Sequence, residues 1–148
     1  MNSEKKMITL QQAYTGVLAD SVRQLGIEGV LERVTARKKQ EQLKSGGIMA
    51  AQLGITEPSE VFSGLSDIFN CAKWEVISNK NGFTAEASAC MLAAMAKRAD
   101  APCPCSIYCL NPMEGMIKAL ASNANYEVRE TLWTGERCRV EVSRALAL

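Results

Sequence analysis

The sequence predicts an α+β fold in one domain, residues 1–148, with a helical part over residues 1–70 and an antiparallel sheet with helices over residues 71–148. Three observations support this prediction. Apolar residues recur at helical spacing in the N-terminal third, apolar and polar residues alternate in two pairs of short runs farther along, and two helix-favouring stretches lie between those pairs. The order hairpin, helix, helix, hairpin is typical of an antiparallel sheet packed with helices, and the length suits one domain.

The N-terminal third, residues 7–44, has the strongest helical pattern. Its apolar residues recur at spacings of three and four and therefore share one face, which we expect to be buried: Met7, Leu10, Tyr14, Val17, Leu18, Val22 and Leu25. Gly26 and Gly29 predict the end of this helix. A second, strongly charged helix is predicted over residues 31–43, with an interruption at residues 45–47, which read Ser-Gly-Gly.

The second helix carries a group of basic residues with two open interpretations. They form either a solvated face or a patch for an anion or a partner: Arg33, Arg37, Lys38, Lys39 and Lys44. A third helix is predicted to begin near Glu57 and Pro58 and to run to about Asn70. Its expected buried side consists of Val61, Leu65, Ile68 and Phe69.

The second half of the chain predicts two hairpins with two helices between them. Residues 73–78 and 83–90 alternate around turn residues 79–82, which places Trp74 and Val76 on one face of the first strand. In the second strand Phe83 shares a face with the alanines at 85, 87 and 89. Helices follow over residues 91–98 and 112–120, separated by a loop at residues 100–104. Residues 126–132 and 137–142 predict the second hairpin, across Thr134 and Gly135.

Composition excludes several classes of protein. Histidine is absent, which excludes a Ser/His/Asp triad, a Cys/His dyad and a His-ligated zinc site. The formal net charge of +1 makes nucleic acid an unexpected partner. No apolar run approaches the roughly eighteen residues of a membrane span, and residues 1–12 lack the apolar centre of a signal peptide. We therefore expect a cytoplasmic protein with reduced thiols and no membrane contact.

Three of the six cysteines lie within seven residues, in a C-x-C-x3-C pattern at Cys103, Cys105 and Cys109. A loop interrupted by proline could bring such thiolates together on one metal ion, and a redox role is also possible. The spacing matches neither a zinc C-x2-C pair nor an iron–sulfur run, and cysteine often serves simply as a small apolar residue. For Cys103 and Cys105 the alternatives are thus a ligand or redox pair and an incidental pair.

Cys109 precedes the predicted helix at Pro112. The positive end of a helix would lower the pKa of a thiol there and would hold an anionic group of a substrate. This position suits a nucleophile; the alternative is a core cysteine beneath the start of the helix.

The second half resembles the L-2-amino-thiazoline-4-carboxylate hydrolase family. The resemblance rests on residues 82–90, on the Cys109-Leu110-Asn111 turn, and on residues 126–142 with their Arg-Glu-Thr-Leu-x-x-Gly-x-x-Cys pattern. It covers about the last seventy residues, and the family is similar to 4-vinyl-reductase-like small-molecule-binding domains, which share the hairpin–helix–hairpin core. The family's three cysteines match Cys90, Cys109 and Cys138. At the position two residues after the second cysteine, where the family has an acidic residue, this chain has Asn111.

The resemblance implies a reaction centre built from these three cysteines. Opening a thiazoline ring needs a nucleophile at the amidine-like carbon, either a thiolate or a metal-bound hydroxide. The related sensory domains hold zinc with cysteines and a glutamate near the last hairpin, which implies Cys109, Glu130 and Cys138 as ligands of a divalent metal, zinc or manganese. Cys103 and Cys105 are weaker ligand candidates. We expect Asn111 and Trp133 to contact the substrate, although a core role for Trp133, as for Trp74, and an exposed position for Glu130 remain open.

Two functions follow from these residues. The first is a hydrolase-like enzyme that acts on a small sulfur- and nitrogen-containing heterocycle through Cys90, Cys109 and Cys138. The second is a non-catalytic module that binds a small molecule or metal and signals through its N-terminal helices; Asn111 favours it, because an amide cannot accept a proton as a carboxylate does. Either would bind a small molecule. The apolar stripe of the first helix also predicts a homodimer.

Overall fold

The computed structural model describes residues 1–144, in which five α-helices and a four-stranded antiparallel sheet form the predicted α+β architecture. The helical first half comprises α1 (Ser3–Ile27), α2 (Leu31–Gln52) and α3 (Pro58–Phe69). The second half comprises β1 (Glu75–Asn79), β2 (Gly82–Ala87), α4 (Met91–Arg98), a π-helical segment (Ser106–Leu110), α5 (Asn111–Leu120), β3 (Ala124–Glu130) and β4 (Cys138–Arg144). Residues 145–148, the end of the predicted sheet-containing part, lie outside the described residues.

The sheet has the strand order β1-β2-β4-β3, so the two predicted hairpins join through β2 and β4. The β2–β4 register pairs Phe83 with Val142 and Ala87 with Cys138. Residues of one parity on these central strands are buried, in agreement with the predicted alternation: Phe83, Ala85, Ala87, Cys138, Val140 and Val142. This face packs on α3 and α5 and forms the larger apolar core with Phe62, Met113, Met116 and Ile117.

Helix α1 buries only part of the predicted face: Val22 is buried, and Leu18 and Leu25 pack against the smaller core. Its buried residues are Gln11, Thr15, Ala19 and Val22, whereas Leu10 and Val17 are each 65% exposed. Small residues explain the difference, because Ala19 on α1 and Ala96 on α4 allow the two helices to approach closely in a second, smaller core. Helix α4 has only eight residues and so covers only part of the much longer α1. The predicted apolar face is therefore only partly covered.

The predicted interruption of the second helix at residues 45–47 is wrong, since α2 continues to Gln52. Gly46 is buried where α2 crosses α5, and a Cβ atom there would lie 2.2 Å from the carbonyl oxygen of Gly115. A Cβ atom on Gly115 would in turn lie 2.4 Å from the carbonyl oxygen of Gln42. The glycine at 46 is thus used for close helix packing, a role that tertiary contact imposes and local propensity does not reveal.

Other predicted boundaries are confirmed. Helix α1 ends before Gly29, which has φ +71°, and Pro58 opens α3. The predicted buried side of α3 is confirmed for Val61, whereas Ile68 is 38% exposed. No helix within residues 1–144 combines the length and apolar character that crossing a lipid bilayer requires.

Candidate functional site

A cavity of about 280 Å³ lies where α1, α2, α3 and α5 meet the π-helical segment. Its walls are mostly apolar, with Leu18, Trp74 and Met116 among them, and three thiols reach it, those of Cys71, Cys90 and Cys109. A few polar side chains also line it: Tyr14, Thr15, Lys38, Gln42 and Tyr108. An apolar pocket with a small number of polar groups is the usual form of a small-molecule site.

Cys71 and Cys90 are brought together by backbone pairing. Ala72 and Cys90 form an isolated antiparallel bridge, and the N–H of Met91 donates to the carbonyl oxygen of Cys71 at 2.7 Å. Both cysteines also line an open groove of about 740 Å³ on the outer surface, so they form part of the wall between that groove and the cavity. Burial, together with the nearby Cys90, raises the pKa of the Cys71 thiol.

Cys90 caps the N-terminus of α4. Its Sγ accepts a hydrogen bond from the N–H of Ala93 at 3.5 Å, and its backbone is extended, as at an ordinary N-cap. The sequence placed Cys90 at the end of a strand and the start of a helix; the start of the helix is confirmed, whereas β2 ends at Ala87 and Cys90 forms only an isolated bridge with Ala72.

The expected position of Cys109 at a helix N-terminus is wrong. Cys109 lies inside the π-helical segment, which continues directly into α5, so the backbone N–H groups near it are already used. Burial, followed by the neighbouring thiols of Cys71, Cys90 and Cys138, raises its pKa well above the ordinary value for a cysteine. Cys109 therefore faces the cavity as a neutral thiol.

Cys138 lies beside these thiols, although it does not line the cavity. It points to the buried face of the sheet, and its Sγ accepts a hydrogen bond from the N–H of Leu132 at 3.3 Å. Burial and the nearby Cys90 raise its pKa, and it in turn contributes to the raised pKa of Cys109. Cys90, Cys109 and Cys138 all belong to the larger apolar core, and the first two line the cavity.

The remaining metal-ligand candidates have other partners. Glu130 Oε2 accepts hydrogen bonds from the N–H groups of Glu136 (2.8 Å) and Arg137 (3.2 Å), so its carboxylate holds the β3–β4 loop together. Cys103 and Cys105 lie in the loop before the π-helical segment and interact with each other. Within residues 1–144, no three Cys, Asp or Glu side chains are grouped as a metal ion would require, so these residues do not fit the implied metal.

The two expected substrate contacts lie away from the cavity lining. Asn111 is the first residue of α5, but the cavity is lined by its neighbours Pro112 and Met113 instead. Trp133 lies in the β3–β4 loop and packs against the smaller core. The Lys97 ammonium lies over its ring, 5.3 Å from the centroid, in a cation–π contact. Trp74, in contrast, does line the cavity.

The sequence analysis did not single out Gln42 or Cys71, and it named Lys38 only within the basic group of the second helix. Lys38 and Gln42 are four residues apart on α2 and therefore share a helical face, but that spacing also fits an ordinary charged surface. Gln42 Nε2 donates to the carbonyl oxygen of Ile107 at 3.2 Å, whereas its Oε1 is buried without a hydrogen-bond partner among residues 1–144. Cys71 stands alone in the sequence and gives no local signal.

Comparison with known proteins identifies no relative of this chain. The cavity, its thiols and the buried amide of Gln42 are therefore the basis for any functional argument. No protein-family model, no curated protein and no solved structure matches the chain.

Proposed function

We propose that the cavity binds a small sulfur- and nitrogen-containing heterocycle of the 2-aminothiazoline-4-carboxylate type and that the chain opens its ring by hydrolysis. The observation that carries this proposal is the unpartnered Oε1 of Gln42, a residue that lines the cavity together with Cys90. A buried acceptor without a partner costs about 1–3 kcal/mol, which a ligand N–H can recover. The family resemblance suggests the type of ring.

The polar groups of the cavity suit such a ligand. The exocyclic amino group of the ring can donate to Gln42 Oε1, and the Lys38 ammonium, also on the lining, can pair with a carboxylate. The volume of about 280 Å³ is just below the range of roughly 300–1,000 Å³ that is typical of drug-sized ligands, so a single small ring is appropriate. The apolar remainder of the wall would exclude bulk water from the ring.

Cys90 is the proposed nucleophile, because its sulfur receives the N–H of Ala93 at the positive end of α4. Its thiolate attacks C2, the amidine-like carbon of the ring, and forms a new bond from the cysteine sulfur to C2. The bond from C2 to the ring sulfur then breaks, and its electron pair moves to the ring sulfur. The product of this step is an opened ring held covalently on Cys90.

Cys109 is the proposed proton donor. Its raised pKa keeps it neutral, so it can deliver a proton to the departing ring sulfur. The resulting thiolate takes a proton from the water that attacks C2, and Cys90 then leaves as a thiolate. One water is consumed, the ring becomes a thiol and a ureido group, and both cysteines return to their starting states. Cys138 lies on the sheet and outside the cavity lining, and its proposed role is to help keep the pKa of Cys109 raised.

A non-catalytic binding module is the second candidate, and one observation favours it. The pKa values of Cys71 and Cys109 are both raised by burial, so these thiols would also make an unreactive cavity wall. Tyr14 of α1 and Lys38 of α2 line the same cavity, so an occupant would contact the N-terminal helices directly and could alter their packing.

Incubation of the full chain with 2-aminothiazoline-4-carboxylate distinguishes the two functions. Chromatography would follow loss of the ring and appearance of the ureido thiol, and calorimetry would measure binding. We expect wild type to bind and turn over, and Cys90→Ala to bind without turnover while keeping its circular dichroism spectrum. Binding without turnover by the wild type would support the binding module, and failure to bind this heterocycle would overturn the hydrolase proposal.

A further inference from the structure

The π-helical segment is explained by the proline that follows it. Pro112 lies inside a helix that continues from the segment into α5, and it has no N–H to donate. In an α-helix its ring would clash with the carbonyl oxygen four residues earlier, that of Tyr108, and the wider π-helical turn avoids this clash. Accordingly, the N–H of Asn111 donates five residues back, to the carbonyl oxygen of Ser106.

Pro112 also leaves the carbonyl oxygen of Ile107 without the donor that a helix would supply. An α-helix would supply the N–H of Asn111, which is bonded to Ser106 instead, and a π-helix would supply that of residue 112, which is a proline. Ile107 is buried, so its carbonyl oxygen needs a partner from elsewhere in the protein. That partner is the side chain of Gln42 on α2, whose Nε2 donates to it at 3.2 Å.

The Gln42 amide is held in one orientation. The close crossing of α2 and α5 fixes its backbone, because a Cβ atom on Gly115 would lie 2.4 Å from the carbonyl oxygen of Gln42. A carbonyl oxygen can only accept a hydrogen bond, so turning the amide round would set Gln42 Oε1 against the oxygen of Ile107. Nε2 is therefore always the end used for Ile107, and Oε1 is the end that is buried without a partner among residues 1–144.

We propose that Pro112, acting through Gln42, makes the cavity select a ring that carries a hydrogen-bond donor at its exocyclic position and reject one that carries an acceptor there. Both residues line the cavity. The inference rests on the proposed function, and it adds the chemical class of the ligand: a 2-amino ring, as opposed to a 2-oxo ring. An amino group satisfies the buried Oε1 of Gln42, whereas an oxo group would place two acceptors together and leave both unpaired.

The other polar side chains of the lining do not provide this selection. The Thr15 hydroxyl donates to a carbonyl oxygen one turn earlier in α1, and the Tyr108 hydroxyl is bonded to a serine of the same helix. The Tyr14 hydroxyl can donate or accept, so it suits either ring. Lys38 can only donate, and it would pair equally with the carboxylate that both rings carry. Discrimination at the exocyclic position is thus left to Gln42.

The test compares 2-aminothiazoline-4-carboxylate with 2-oxothiazolidine-4-carboxylate, whose exocyclic atom is an oxygen. Calorimetry measures both affinities on the full-length Cys90→Ala chain, in which the ring is not consumed, and on Cys90→Ser as a second background. We expect the amino ring to bind about 10- to 100-fold more tightly, which corresponds to one buried acceptor left unpaired. Equal affinities would overturn the selection but leave the proposed function in place. Failure of both rings to bind would overturn the proposed function and this inference with it.

Pro112→Ala tests the cause of the selection. Alanine restores an N–H, so the carbonyl oxygen of Ile107 gains a backbone donor whether the turn stays π-helical or becomes α-helical. Gln42 can then present either end of its amide to the ring, and the preference should fall to less than about threefold. Pro58→Ala is the matched control and should keep the full preference, because Pro58 opens α3 outside the cavity lining, where a missing N–H has no helical partner. Full preference in Pro112→Ala as well would overturn the role of Pro112.

Nuclear magnetic resonance measures the orientation of the amide without any ligand. The side-chain N–H signals of Gln42, identified by their loss in Gln42→Met, should exchange with solvent at least about tenfold more slowly in wild type than in Pro112→Ala, because the bond to Ile107 protects them. Equal exchange rates would show that Pro112 does not hold the amide and would overturn the proposal. Because the comparison of the two rings can overturn it alone, misfolding of Pro112→Ala does not remove the test.

Discussion

Gly46 of α2 and Gly115 of α5 meet at the crossing of their helices so closely that neither position has room for a side chain. A Cβ atom on Gly46 would lie 2.2 Å from the Gly115 carbonyl oxygen, well inside any allowed contact. This crossing also positions the cavity, because Gln42 on α2 and Met116 on α5 both line it. The site therefore depends on a contact between two backbones.

The first prediction concerns this crossing. Gly46→Ala should destabilise the protein by at least about 1–3 kcal/mol, because the added methyl group meets rigid backbone and forces the helices apart. Its neighbour provides a matched control, since a Cβ atom on Gly47 would meet only Ala119 Cβ at an ordinary 3.5 Å. Gly47→Ala should stabilise α2 by about 0.5–1 kcal/mol. Urea unfolding measures the free energy of unfolding of both variants. Equal stability of the two would contradict the close backbone contact between Gly46 and Gly115.

Periodicity and turn residues were sufficient to predict most of the fold. The alternation in β2 and β4, the Pro58 start of α3 and the Gly29 end of α1 are all confirmed, because each reflects a local preference. The helix break predicted at Gly46 is wrong. Glycine weakens an isolated helix, but here it allows α2 to pack closely against α5. The face of α1 was predicted only in part: Val22 is buried, but Leu10 and Val17 are exposed, because the neighbouring α4 is short and meets α1 through small residues.

The candidate site could be predicted only in part. The resemblance grouped Cys90, Cys109 and Cys138; Cys90 and Cys109 line the cavity, although Cys109 lies within the helical segment and not before it. Gln42 and Lys38 come from a distant helix, and no local pattern separates them from surface residues. Glu130 was ambiguous because strand parity does not reveal that its carboxylate binds loop N–H groups instead.

The second prediction tests the role of Gln42. Gln42→Met removes the unpartnered acceptor but also the hydrogen bond to Ile107, so the stability of the ligand-free protein should change by less than about 1 kcal/mol. Binding of 2-aminothiazoline-4-carboxylate should weaken about tenfold, the value of one lost hydrogen bond. Gln40→Met, on an exposed part of α2, should leave binding unchanged. Calorimetry checks this, and equal affinity of the two variants would remove Gln42 from the site.

The third prediction is the pH dependence of Cys103. Its folded pKa of about 6 lies below the ordinary thiol value, so the reactive thiolate is present above that pH and is lost as the pH falls through it. Alkylation of Cys103 by iodoacetamide should therefore rise to a plateau with a midpoint near pH 6. Peptide mass spectrometry over a pH series measures the rate at this residue. A midpoint near the ordinary value for cysteine would show that Cys105 and Lys97 do not act on it.

The fourth prediction addresses the metal-hydroxide alternative. The implied ligands Cys109, Glu130 and Cys138 do not form a metal-sized group among residues 1–144, and the Glu130 carboxylate is already occupied by backbone N–H groups. Ring opening should therefore persist after treatment with a strong chelator and gel filtration. Loss of activity that zinc or manganese restores, together with loss of bound metal in Cys109→Ser, would instead support a metal centre.

The last prediction concerns the exposed apolar stripe on α1, formed by Met7, Leu10, Tyr14 and Val17. Residues 7 to 17 span about 15 Å of helix, and their spacing keeps them on one side, so a second copy of the chain is the expected cover. The double variant Leu10→Glu with Val17→Glu should shift the mass measured by light scattering from dimer to monomer, because burial of two carboxylates is costly. Gln12→Glu adds charge on the opposite, exposed side of α1 and should leave the dimer intact. A monomeric wild type, or a dimer that survives both substitutions, would show that this stripe is not the contact.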